Sequence, residues 1–240
     1  MDTYTIQQIL ERCSREKYLK VKKHFEDLIK MFKTTRMRII EEYGWGKRTC
    51  LRISEKGKLD LLRYAHENGC HWNHYTCLKA SNYGHLECLK YAYENGCNWD
   101  ELTRSVASKY GYLECLRYAH ETGCVWDKWT CSDASMNGHL ECLKYAHENG
   151  CHWDEKTCTN ASMNGHLECL KYAHENGCPW NADTCFGASK NGYLECLRYA
   201  HENGCNWDRW TCYYASMGGH LECLKYGFKV ACDFKNRATS

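Results

Sequence analysis

Residues 153–179 read WDEKTCTNASMNGHLECLKYAHENGCP, and the fold is decided by recognising this stretch as a unit. Trp153 is preceded at intervals of 27 residues by Trp126, Trp99, Trp72 and Trp45 and followed by Trp180 and Trp207, with Phe234 in the next slot. Gly57, Gly84, Gly111, Gly138, Gly165, Gly192 and Gly219 keep the same interval with no insertion. A fixed period of this size is the signature of a solenoid, in which each unit packs only on its neighbours.

Two helix signals lie inside the unit. Asp154 is placed to cap a helix over Glu155 to Met163, because its carboxylate can accept from the orphan N–H groups of the first turn. Asn164 and Gly165 tolerate the left-handed conformation that ends a helix. The next segment, His166 to Asn176, repeats Leu167, Leu170 and Ala173 at helical spacing, with Cys169 and Tyr172 beside that stripe, and Gly177 ends it. The spacing predicts helices of roughly 9 and 11 residues. Helices so short are marginal alone, so neighbouring units must supply their stability. A Leu at 59, 86, 113, 140, 167, 194 and 221 and a Tyr at 64, 91, 118, 145, 172, 199 and 226 are the same in every copy. Each is expected to meet the same neighbour in the same place.

Thr157-Cys158, Ala161-Ser162, Gly165-His166-Leu167-Glu168-Cys169-Leu170-Lys171 and Gly177-Cys178 resemble the wording of the ankyrin repeat, over about residues 45–233. The resemblance implies an all-α, helix-turn-helix solenoid of seven repeats. The unit is shorter than the family's usual 33 residues, mainly between Gly177 and Thr184, so the β-hairpin fingers are expected to be shortened or absent. The short cysteine-rich form is similar to ankyrin-like families expanded in giant viruses and some protists. Residues 1–44 break the period and read as a helical cap, with two helices carrying Ile6, Ile9, Leu10, Cys13 and Leu19 to Phe32, and a third over Met37 to Tyr43. Residues 234–240 read as a short C-terminal tail behind an atypical last unit, where Gly227 to Ala231 replace the usual Ala-His-Glu-Asn-Gly.

Twenty cysteines raise the question of metal or disulfides. Nineteen fall in three columns, represented by Cys158, Cys169 and Cys178, and only Cys13 lies outside them. Leu61 stands in the second column and Arg104 in the first, although metal ligands work as sets. No CxxC ribbon pairing is present. Buried, reduced structural thiols are the expectation, with Arg104 suggesting that the first column is partly exposed. His147-Glu148 lacks the second His of a zinc-protease helix, since Cys151 stands there. No catalytic constellation, phosphate loop or cofactor motif is found, and neither an enzyme nor a metal site is expected.

A net charge of +2 argues against a dedicated polyanion binder, although residues 1–48 carry 12 Lys/Arg against 7 Asp/Glu. No apolar run approaches a membrane span and no signal peptide opens the chain. The cytoplasm is the expected compartment, the host's if the chain is viral, and a monomer the expected state.

The positions that differ between units fall three or four residues apart along the first helix, hence on one face. They carry Tyr75, Leu102, Trp129, Phe186, Arg209, Trp210, Tyr213 and Tyr214. Large aromatics with Arg, at positions stacking does not require, mark a binding surface for a protein partner. Two other classes stay open. A nucleic-acid binder would need a basic face, which Glu55, Glu101, Asp133, Glu155 and Asp183 dilute. A metal- or redox-responsive protein would need thiols that meet or are exposed.

Overall fold

A computed structural model of the chain describes residues 15–238 apart from 99, 100, 128 and 208. Among the described residues there are fifteen helices and no strand. A long helix, α1 (Arg15–Tyr43), precedes seven helix pairs. The first members are α2 (Thr49–Glu55), α4 (His74–Asn82), α6 (Glu101–Lys109), α8 (Thr130–Met136), α10 (Glu155–Met163), α12 (Ala182–Asn191) and α14 (Arg209–Met217). The second members are α3 (Leu59–Glu67), α5 (Leu86–Glu94), α7 (Leu113–Glu121), α9 (Leu140–Glu148), α11 (Leu167–Glu175), α13 (Leu194–Glu202) and α15 (Leu221–Ala238). First helices stack on first helices as one layer, closely, and second helices form the other layer with sparser mutual contact. Among the described residues the connections between units hold no hairpin.

The unit from Trp153 shows how the residues impose this. Asp154 caps α10 by accepting from Lys156 N at 3.0 Å. The helix closes where His166 N reaches back to Ala161 O at 2.9 Å, with Gly165 between them at φ 77°. That backbone conformation favours glycine, and packing forbids anything else: a Cβ on Gly165 would run into the ring of Tyr193 in the next unit. The same clash, with His85, Tyr112, His139, His166 or His220 as the ring, holds at Gly57, Gly84, Gly111, Gly138 and Gly192. The glycine period is therefore an interlock between consecutive units as well as a helix stop.

The core runs the length of the stack. The unit from Trp153 buries Leu170, Ala161 and second-helix Ala173 with no exposure; the first unit has Ile53 at the Ala161 position, and the last has a half-buried Leu224 and Gly227 at the Ala173 position. Full burial of one such Leu stabilises by about 2 kcal/mol. In the second helix Cys169 joins Leu170 and Ala173 on the buried stripe, while Leu167 lies at its edge. Units are also stapled by hydroxyls: Ser162 Oγ donates to Thr184 O at 2.7 Å, and Ser108 Oγ to Thr130 O at 2.7 Å.

The fixed Tyr closes a ring cluster that spans the junction. His147 stacks on Trp153 with centroids 3.7 Å apart, Tyr172 stands edge-on to both, and His147 Nδ1 lies 3.1 Å from Tyr172 Oη. His66, Trp72 and Tyr91 repeat the arrangement, as do His174, Trp180 and Tyr199. His147, the residue of the protease-like His-Glu pair, is thus fully engaged in packing. Its neighbour Glu141 pairs with Lys144 at 3.0 Å on the exposed face, a bond of small energetic weight.

The ends differ from the sequence reading. The cap over 15–43 is one unbroken helix of 29 residues, not two separated helices. Thr34, between the two expected helices, lies inside this one and satisfies its hydroxyl on Lys30 O at 2.5 Å and Met31 O at 3.1 Å. The helix expected around Ile6 to Cys13 lies outside the described residues. Phe32 stacks on Tyr64 at 5.7 Å and Arg36 sits 4.8 Å over Trp45, so α1 supplies the first unit with the ring contacts a preceding unit would give. At the other end Ala231 stands where Gly204 (φ 87°) stands in the unit before, and no left-handed residue stops the helix. Consequently α15 continues to Ala238, through most of the residues read as a separate tail.

Candidate partner-binding face

The first-helix layer presents a column whose members are spaced by one unit: Tyr75, Leu102, Trp129, Lys156, Asp183 and Trp210. Its geometry is set by the caps. Asn73 Oδ1 accepts from Tyr75 N at 3.1 Å, Asp127 Oδ1 from Trp129 N at 2.9 Å, Asp154 Oδ1 from Lys156 N at 3.0 Å, and Asn181 Oδ1 from Asp183 N at 2.9 Å. The residue that varies thus follows the residue that caps, and its backbone is fixed by a bond that does not depend on its side chain. That separates what the fold needs from what a surface can change.

The column is open to solvent. Tyr75, Leu102, Trp129 and Trp210 are 47%, 57%, 43% and 45% exposed. Tyr213, one turn on, is exposed as well, whereas Phe186 and Tyr214 are half-buried. The side chain of Arg209 lies outside the described residues.

The inner half of the variable face does take part in stacking, contrary to the sequence reading. Ser132 and Gly187 are buried, and a Cβ on Gly187 would press on Met163 of the preceding first helix. Ser105 Oγ donates to Asp133 Oδ2 at 2.8 Å across one junction, and Lys79 meets Glu55 at 3.7 Å across another. Burial lifts the Asp133 carboxyl above its ordinary value, against the hydrogen bond from Ser105. Sequence variation alone does not separate the two halves, because neighbouring first helices can be fitted together by many side-chain pairs.

Bulky groups gather between α12 and α14. Phe186 and Tyr214 meet edge to face at 4.8 Å, Tyr213 stands edge-on to Tyr214 at 5.2 Å and to Trp210 at 5.7 Å. Together Ala182, Asp183, Phe186, Trp210 and Tyr214 line an open pocket of about 290 Å³. Lys190, one turn below, lies 5.7 Å from the Phe186 ring and 6.0 Å from that of Tyr214. The sequence places Asp183 on the variable face, but that it shares a pocket with Trp210 and Tyr214 follows only from the juxtaposition of two columns.

Among the described residues the cysteines are buried except Cys124 and Cys212, which are half-buried. The first column, Cys50, Cys77, Cys131, Cys158 and Cys185, has no exposure, which corrects the inference drawn from Arg104; only Cys212 of that column is half-buried. Arg104 is itself fully buried, its guanidinium 5.3 Å over the Trp126 ring and without a hydrogen-bond partner among the described residues. Thiols of the first and third columns meet within a unit. The hydrogen bond with Cys151, together with burial, raises Cys131 far above an ordinary thiol, and Cys178 acts likewise on Cys158. In the second column burial pushes Cys115, Cys142 and Cys196 up to about 12. The thiols so raised are poor nucleophiles, whereas the hydrogen bonds with Cys77, Cys131 and Cys185 lower their partners Cys97, Cys151 and Cys205. Among the described residues no group of three His, Cys, Asp or Glu converges as a metal site would require, and no helix is long and apolar enough to cross a membrane.

Comparison with known proteins finds likeness both in sequence family and in fold. The family described as "Ankyrin repeats (many copies)" matches residues 131–174 and 185–226. Among solved structures, the crystal structure of the human ASB11 ankyrin repeat domain aligns with a TM-score of 0.59 at 19% identity, over 67% of this chain and 85% of that one. At that identity the likeness is one of fold. No match is found among curated proteins.

Proposed function

We propose that this chain, which matches the ankyrin-repeat model over residues 131–174 and 185–226 and shares the fold of an ankyrin repeat domain, acts as such repeats generally do, as a protein–protein interaction scaffold, and binds a protein partner along the exposed column of its first helices, anchored at the α12–α14 end. The observation that carries this reading is the cluster of Trp210, Tyr213 and Tyr214. Two of these aromatics are exposed, on a face whose backbone is held by caps and whose side chains differ from unit to unit. Residues of this kind, in a rigid setting, lose little conformational freedom on binding and dominate interface energies. Lys156, Asp183 and the half-buried Asp133 alternate in sign along the face, which suits a mixed protein surface better than a polyanion.

Affinity capture with the full chain and with Trp210→Ala/Tyr213→Ala/Tyr214→Ala tests it. The triple variant is expected to lose a specific partner's binding by at least about 100-fold while its melting temperature moves by only a few degrees. Tyr172→Ala, which strips a buried junction of its ring, is the folding control and should melt markedly earlier. Collapse of the triple variant, or intact binding that is instead abolished by changes at Glu141 and Lys144 on the second helices, would refute the assigned face.

A further inference from the structure

We propose that the pocket between α12 and α14 is a receptor for one cationic side chain of the partner. This rests on reading the first-helix face as the partner surface, and adds the chemistry recognised there. Three of the five lining residues are aromatic, Phe186, Trp210 and Tyr214, and the only ionised one is Asp183. The rings are set at angles to one another, Phe186 to Tyr214 at 89° and Trp210 to Tyr214 at 46°, so the pocket offers ring faces from more than one direction. Ring faces carry negative quadrupole charge, and a desolvated cation against them is attracted at each. The Asp183 carboxylate adds a full charge of the right sign and two acceptor oxygens for N–H donors.

An anion would meet both the ring faces and Asp183 as repulsive groups. A purely apolar side chain would cover the carboxylate without pairing it, at a desolvation cost. Lys190 lies against Phe186 and Tyr214 from one turn below and Asp183 one turn above Phe186, so the acidic wall and the chain's own cation stand at opposite ends of the cluster. The same surface already shows the contact in its own residues. One step further along the column, the Lys156 ammonium sits 4.9 Å from the ring centroid of Trp129. A pocket of about 290 Å³, open on one side, admits the end of an arginine or lysine chain entering from a partner segment.

The test uses the full chain and short capped tripeptides, Gly-X-Gly, with X as arginine, lysine or trimethyllysine, against neutral citrulline and norleucine. Binding is followed by the indole N–H resonance of Trp210, assigned by its loss in Trp210→Phe. At least one cationic peptide is expected to saturate the Trp210 signal in the millimolar range and to bind about fivefold or more tightly than its neutral counterpart. Asp183→Asn, at an exposed position, should lower that affinity by about fivefold with an unchanged melting curve, and Phe186→Leu should lower it as well. The three cations sort a planar guanidinium from an ammonium. Equal binding of citrulline and norleucine, absence of saturation by every cation, or an affinity untouched by Asp183→Asn would each overturn the proposal. The two readings fail separately. If the triple aromatic variant loses its partner while the Trp210 signal ignores cations, the face stands and the pocket chemistry falls. If cations bind but the partner is retained by the triple variant, the pocket stands and the face falls.

Discussion

Arg104 shows how far one residue can depart from a repeat and still be accommodated. It stands where five other units bury a cysteine without exposure, and its guanidinium is buried with three nitrogens lacking hydrogen-bond partners, resting on the face of Trp126 alone. Desolvating a charge without pairing it costs several kcal/mol, offset only in part by the cation–π contact. Arg104→Cys, restoring the column, is therefore expected to stabilise the chain by about 1–3 kcal/mol in chemical denaturation. A destabilised variant would mean that the guanidinium holds the junction together. The polarity of Arg104 is what misled the sequence reading, because identical spacing reveals that environments are equivalent and leaves unsaid whether they are wet or dry.

Among the helices, the second of each pair owes its place to rings. The cluster of His147, Trp153 and Tyr172 needs a neutral imidazole, and burial lowers the pKa of His66 and His147 from the ordinary 6.5, more than the adjoining Glu67 and Glu148 raise it. His139, packed on Gly111, is lowered by burial too. For a lowered histidine the unfolded chain binds more protons between its own pKa and the folded one. The stability these residues contribute is then present above pH 6.5 and lost as pH falls below it. The buried thiols act at the other limb: raised from 9.0 to about 12, Cys115, Cys142 and Cys196 keep their protons in the fold while the unfolded chain releases them, so stability falls as pH rises past 9. Melting temperatures at pH 5, 7.5 and 10 should peak at the middle value, and a flat profile would contradict this account. Helix positions were legible in the sequence: Asp154, Gly165 and Gly177 mark boundaries by backbone chemistry, and α10 spans the predicted residues. The ring clusters were not, since a junction between Tyr172 and a histidine 25 residues earlier is invisible to a pattern read within one unit. Nor was the continuity of α1, because the polar residues between Phe32 and Met37 read as a break although they carry no Pro or Gly to stop a helix.

At the scale of the whole molecule, every bond described between repeats joins a unit to the next one along: Gly165 to Tyr193, Ser162 to Thr184, His147 to Tyr172. Removing residues 126–152, one whole unit, brings equivalent partners back into contact, so a folded chain of lower stability is expected. Removing half of that span leaves a first helix facing a second helix and should unfold the neighbourhood. Circular dichroism during heating separates the two; loss of helix on whole-unit deletion alone would exclude nearest-neighbour stacking. The density of sulfur has a different consequence, in time rather than in energy. A thiol with a pKa of about 12 exists as thiolate for only about one part in 100,000 at pH 7, so Cys115, Cys142 and Cys196 are almost deaf to electrophiles and oxidants while the stack is intact. A unit that opens, such as the one holding Cys158, Cys169 and Cys178, uncovers up to three at once. Alkylation collected over hours would thus write a record of which repeat breathes, and how often, into the mass of the chain.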